Sequence, residues 1–135
     1  MINSRQKGKR GERELAGLLT HQGYRCRRGV QYSGGPDSPD VVGLPGIHIE
    51  CKRGKTVRKT QAMEQAIHDC GKNIPVVMYR EDDAEWMVLM REKDWMTIYK
   101  EWELSHDRTR GRAEAEEGPL AEEGDQSQGE TAHRD

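Results

Sequence analysis

The stretch from Pro39 to Lys52, P-D-V-V-G-L-P-G-I-H-I-E-C-K, constrains the fold more than any other part of the chain. It holds two apolar β-type runs, Val41 to Leu44 and Ile47 to Ile49, separated by Pro45-Gly46. Proline presets φ for the first corner of a tight turn and glycine accepts the positive φ of the second, so the two runs are expected to fold back as a hairpin. Side chains alternate across a strand, which places Glu50 and Lys52 on one face and Ile47, Ile49 and Cys51 on the other. With the apolar face turned to the core, Asp40, Glu50 and Lys52 meet at the end where the strands diverge.

Two carboxylates beside an ammonium have a definite chemical use. Oxygen ligands suit a hard divalent cation such as Mg²⁺, which keeps several waters and accepts substrate phosphates. A lysine at such a site orients or polarises the attacking water, and together these are the parts of metal-assisted phosphodiester hydrolysis. The plainer alternative is an ion pair between Glu50 and Lys52 at the end of a solvated strand. A bare E-x-K occurs by chance in most proteins; the upstream Pro39-Asp40 and the hairpin between them are what set this one apart.

A chain of 135 residues is at most one domain with a modest core. Its charged fraction of 34% and mean hydropathy of -1.03 place part of it outside that core. The net charge of -2 hides an asymmetry, because residues 104–135 hold 4 Lys+Arg against 9 Asp+Glu while the first sixty hold 13 against 5. A basic first half suits a polyanionic partner such as DNA, with a solvated basic face as the alternative. Cys26, Cys51 and Cys70 are odd in number and lack C-x-x-C spacing, which fits a reduced, cytoplasmic compartment. No apolar run approaches the length of a signal segment or a membrane span, so no membrane partner is expected.

In chain order, Gln6 to Gln22 reads as a helix with Leu15, Leu18 and Leu19 on its apolar face and Gly23 as its stop. Glu12 falls on the core-facing edge of that helix, where it is either a third site carboxylate or a surface carboxylate paired with an arginine; Glu14 points elsewhere. Tyr24 to Val30 reads as a short basic strand, and Gln31 to Ser38 as a loop in which Tyr32 and Ser33 are candidates for phosphate or base contact. After the hairpin comes a basic patch from Arg53 to Lys59, then a helix from Lys59 to Cys70 stopped by Gly71, with Gln61 in its first turn near Lys52. Strands are expected at Ile74 to Tyr79 and Trp86 to Met90, and a closing helix at Glu92 to Trp102. Trp95, Ile98, Tyr99 and Trp102 of that helix read as core or as a subunit contact. From Leu104 the apolar periodicity stops, so residues 1–103 are expected to form an α/β domain around a mixed sheet and residues 104–135 a disordered acidic tail.

Taken in order, K-G-K-R-G-E-R-E-L-A-G-L-L from Lys7 to Leu19, then P-D-V-V-G, then I-H-I-E-C-K resemble the PD-(D/E)xK nuclease superfamily. Within it the likeness is to the archaeal-type Holliday junction resolvases and their phage-encoded relatives, over residues 5–103. The resemblance implies a restriction-endonuclease-like core and a metal-dependent DNA endonuclease that acts as a homodimer on four-way junctions. It also implies a cytoplasmic setting in a bacterial host, with the gene carried by a phage or prophage. It assigns Glu12, Asp40 and Glu50 to Mg²⁺, for which Mn²⁺ substitutes, with the Cys51 carbonyl as a further oxygen ligand and Lys52 assisting the water. Arg10, Arg13, Arg27, Arg28, Arg53 and Lys55 are expected to hold phosphates, joined by Ser33 and Gln61. Ser33 does not align firmly with the family's serine, and the acidic tail departs from the pattern. A nuclease of linear, flap or single-stranded DNA, or a DNA-binding module without catalysis, are the alternatives.

Overall fold

The computed structural model describes residues 4–30 and 39–117. Its elements run α1 (Ser4–His21), β1 (Arg27–Arg28), β2 (Val41–Val42), β3 (Ile47–Gly54), α2 (Lys59–Asp69), β4 (Ile74–Glu81), β5 (Met87–Met90) and α3 (Glu92–Glu117). The strands form one sheet in the order β1-β2-β3-β4-β5. β3 and β4 run parallel, joined through α2, and the other pairs are antiparallel, so the sheet is mixed as the element order predicts. Ser33 and Tyr32 lie outside the described residues.

The turn between β2 and β3 forms for the reason its sequence suggests. Ile47 N–H donates to the Leu44 carbonyl at 3.0 Å, and Gly46 at the third position has φ +88. Proline at the second position and a positive-φ glycine at the third define a type II turn. Val41 is then paired with Ile49. β1 is shorter than the Tyr24 to Val30 reading, because only Arg27 and Arg28 pair, with Val42 and Val41. β3 is longer than expected: its parallel register with β4 carries it through Arg53 and Gly54. Pro75 precedes the stretch of β4 paired with β5, which begins at Val76, so its missing N–H removes no bond from that ladder.

Alternation along β3 sets two different cores on the two faces. Leu15, Ala16 and Leu19 of α1 pack with Val41, Ile49, Cys51 and Val76. Ala62 and Ala66 of α2 pack with Val77 on the opposite face, with Met63, Tyr79 and Leu89 around them. Each fully buried leucine or valine contributes about 1.5–3 kcal/mol by leaving water. α1 ends where Gly23 was expected to end it: Gly23, at φ +105, donates to Thr20 at 3.0 Å and Tyr24 donates to Leu19 at 3.1 Å. This is the paired-bond cap that satisfies the last helical carbonyls.

α3 corrects one expectation. The backbone is helical to Glu117, past Trp102, where the sequence reading ends the closing helix. Alanine, glutamate and arginine sustain a helix without an apolar face, and Glu92 and Asp94 in the first turn complement its dipole. The chain divides into two units at Thr97. In the second, Trp102 stacks on Tyr99 at 5.6 Å and on His106 at 3.9 Å.

Gly11 lies where α1 comes close to the end of β3. A Cβ there would lie 2.6 Å from the Cβ of Arg53, whereas one at Gly8 would meet nothing within 4 Å. Gly11→Ala should therefore destabilise the fold by about 1–3 kcal/mol through overpacking. Gly8→Ala should stabilise it by about 0.5–1 kcal/mol through helix propensity. Denaturant unfolding of the two variants should give shifts of opposite sign; equal shifts would show that α1 does not pack at Gly11.

Candidate active site

Asp40 is fastened to β3 twice. Its backbone N–H donates to the Ile49 carbonyl at 2.9 Å, and its Oδ2 accepts the N–H of Cys51 at 2.8 Å. These two anchors straddle Glu50 and hold the Asp40 carboxylate against it. Lys52 lies two residues on, with Nζ 3.4 Å from Glu50 Oε1. Asp40 is 7% and Glu50 3% exposed, while the Lys52 side chain keeps 39% of its surface. Glu50 and Lys52 share the sheet face opposite Ile49 and Cys51, as strand alternation requires. The solvated-strand alternative fails for Glu50, since β3 is an inner strand covered by a helix on each side.

Burial of two carboxylates side by side has an electrostatic consequence. Burial raises Asp40 above the ordinary carboxylate range, an effect the Cys51 N–H and Lys52 oppose. Glu50 is pushed up to about 7, first by burial and then by the Asp40 charge, with Lys52 pulling the other way. The Cys51 thiol is raised by burial and by the nearby carboxylates, so it is a protonated core group and not a thiolate ligand. One lysine does not balance the pair, and a divalent cation would.

Glu12 stands close enough to act electrostatically on Asp40, yet its Oε2 accepts a hydrogen bond from Arg28 Nε at 2.7 Å. The arginine pairing weighed as an alternative for Glu12 is thus present. Among the described residues no three His, Cys, Asp or Glu side chains converge tightly enough to hold a metal ion. What the structure supplies is a two-carboxylate oxygen site, and this suits Mg²⁺, which relies on one or two carboxylates plus water and substrate phosphate.

The expected phosphate contacts divide into two groups. Arg10, Arg13, Arg27, Lys55 and Gln61 are exposed. Arg28 and Arg53 are already engaged: Arg28 with Glu12, and Arg53 with Asp82 and Glu14. Glu14, which helix phase places off the core-facing edge of α1, is engaged as well. It accepts bonds from Arg80 at 2.6 Å and Trp86 at 3.2 Å, joining α1 to the far end of the sheet. These partners lie 66 and 72 residues away in sequence, and no local pattern announces them. Arg58 and Gln65, which line a cavity with Lys52 and Gln61, were also missed, although the spacing 58, 61, 65 marks one helical face.

A mixed sheet whose inner strand carries E-x-K, faced by an aspartate from just before β2, is the arrangement expected from the resemblance to PD-(D/E)xK nucleases. Residues 3–70 match the model of the family described as archaeal Holliday junction resolvase (hjc). The chain belongs to that family. Among solved structures it is similar to Hjc of Archaeoglobus fulgidus, a Holliday junction resolvase from an archaeal hyperthermophile. The two share 24% identity over 62% of this chain and 72% of that one, with a TM-score of 0.46. No curated protein sequence matches it. No helix among the described residues is long and apolar enough to cross a membrane.

The raised Glu50 carboxyl links stability to pH. A carboxyl raised in the fold favours folding fully below its ordinary value of 4.5, and that contribution is lost as pH rises through about 7. Metal-free protein should lose on the order of 3 kcal/mol across that window. Glu50→Gln should flatten the dependence and be the more stable protein at pH 8. Thermal unfolding in chelator from pH 4.5 to 8 measures this; equal slopes for both proteins would contradict it.

Proposed function

We propose that the chain is a divalent-metal-dependent endodeoxyribonuclease that cuts four-way DNA junctions as a homodimer. The observation that carries the reading is the buried Asp40–Glu50 pair beside Lys52 Nζ, in a chain of the junction-resolvase family. Asp40 and Glu50 hold Mg²⁺, or Mn²⁺ in its place, and the Cys51 carbonyl supplies a further oxygen. When bound, the cation neutralises the pair and polarises the scissile phosphate. Lys52, the more exposed member, orients the attacking water toward phosphorus. Glu12 reaches the site from α1, directly or through water, to the extent that Arg28 shares its carboxylate. The exposed basic residues of the first half hold phosphates around the cut.

Two symmetric cuts call for two sites facing one DNA surface, and a twofold dimer is the commonest closed arrangement that provides them. Trp95, with half its surface exposed, is the candidate for that contact.

The test is cleavage of a labelled four-way junction beside linear duplex of the same sequence, with Mg²⁺ and with chelator. Junction cutting that needs the metal is expected. Equal cutting of both DNAs would make the chain a general nuclease, and none of either a binding module. Asp40→Ala and Glu50→Ala should abolish cleavage and leave DNA binding intact or tighter. Lys52→Ala should lower the rate by about 10²-fold or more while metal still binds. Mixing active and Glu50→Ala subunits on a cruciform plasmid should yield nicked circles from mixed pairs; products independent of mixing would argue for a monomer.

A further inference from the structure

The end of β3 and the start of α2 enclose a cavity of about 340 Å³, at the small end of the range for ligand pockets. Its polar lining is Lys52, Arg53, Thr56, Arg58, Gln61 and Gln65, and no lining residue is a carboxylate. A second cavity, beside α1, contrasts with it. There Lys7, Arg10 and Arg53 are matched by Glu14 and Asp82, both ion-paired with Arg53.

In the first cavity the cations Lys52 and Arg53 pair with acids outside the lining, Glu50 for the one and Glu14 and Asp82 for the other. Glu81, the nearest acid along β4, is taken by Lys59 and by the backbone N–H of Val57. Arg58 has no ion pair among the described residues. It is also the residue just before α2, and its side chain does not cap the helix. Arg58, Gln61 and Gln65 follow one another at helical spacing, so a guanidinium and two amides face the same space. Lys52 and Arg58, with two primary amides and a hydroxyl, form a donor set for a phosphate oxygen, not for an apolar ligand or a cation.

Lys52 joins this cavity to the catalytic pair. It is a lining residue, and its Nζ is 3.4 Å from Glu50. We infer that the cavity seats a backbone phosphate adjacent to the scissile one on the strand being cut, with Arg58, Gln61 and Gln65 as its positioning residues. The inference rests on the nuclease reading above and deepens it by locating one strand contact. The strand then passes from the α2 face across Lys52 to the carboxylates, which fixes the phosphate presented to them.

The test measures affinity and not cleavage. Four-way junctions carrying one neutral methylphosphonate in place of a phosphate, moved stepwise around the cut, are titrated against full-length protein in chelator. Neutralising the phosphate next to the cut should weaken wild-type binding about tenfold, the value of one charge-assisted contact. Arg58→Ala/Gln61→Ala/Gln65→Ala protein should bind the native junction about tenfold more weakly and be indifferent to that substitution, while remaining sensitive at other positions. Arg58→Gln alone, which keeps the helix face polar, should show the same loss of positional sensitivity if the triple variant fails to fold. Identical positional profiles for wild type and Arg58→Gln would overturn the inference and leave the nuclease reading standing. Failure of the wild type to bind any junction would defeat that reading, and the inference with it.

Discussion

The site depends on the two hydrogen bonds that fasten Asp40 to β3. One is backbone to backbone and the other takes a strand N–H to a carboxylate oxygen, so a residue just outside β2 is held as firmly as if it belonged to the central sheet. The anchors fall on Ile49 and Cys51, whose side chains are locked in the α1-side core. Packing on one face of the sheet therefore fixes the carboxylates on the other. Rigid elements hold reacting groups more accurately than loops do, and here the precision comes from apolar residues that never touch substrate. The same arrangement stores electrostatic tension, because charges buried together are costly unless a counter-ion offsets them. Stability and function pull against each other at this point of the chain.

Much of this was legible in the sequence because it follows from short-range rules. A two-residue repeat separates Glu50 and Lys52 from Ile49 and Cys51, and Pro45-Gly46 announces the turn between the strands. Gly23 and Gly71 mark helix ends by their backbone freedom, and both take positive φ. The mixed sheet followed from the order of elements. What escaped was decided by tertiary packing. The Arg28 partner of Glu12 and the Arg80 and Trp86 partners of Glu14 come from strands, or the residue leading into one, that lie beside α1 only once the sheet has formed. The length of β3 exceeds the sequence expectation because Arg53 and Gly54 look like the start of a basic loop, and only pairing with β4 makes them strand. The extent of α3 was missed because helix propensity needs no apolar stripe.

The basic residues illustrate a limit of charge counting. Thirteen Lys+Arg in the first sixty residues suggest one broad positive surface. In the structure some of them brace the fold: Arg53 ties α1 to the β4–β5 turn through Glu14 and Asp82, and Arg28 ties β1 to α1 through Glu12. Others, Arg58 among them, have no such partner among the described residues. Both kinds look alike in composition, yet changing the first would loosen the domain while changing the second would alter only what it binds.

The turn at Leu44 to Ile47 carries a further consequence. Because strand side chains alternate with a period of two, inserting or deleting one residue there would send Glu50 and Lys52 into the α1-side core and bring Ile49 and Cys51 to the face of the candidate site. The loop is thus a parity device: its length decides whether the chain has a site at all, independently of whether it has a fold. Variation in length among chains of this design has to be absorbed before Pro39 or beyond Gly54, where the count of residues has no bearing on which way Glu50 faces.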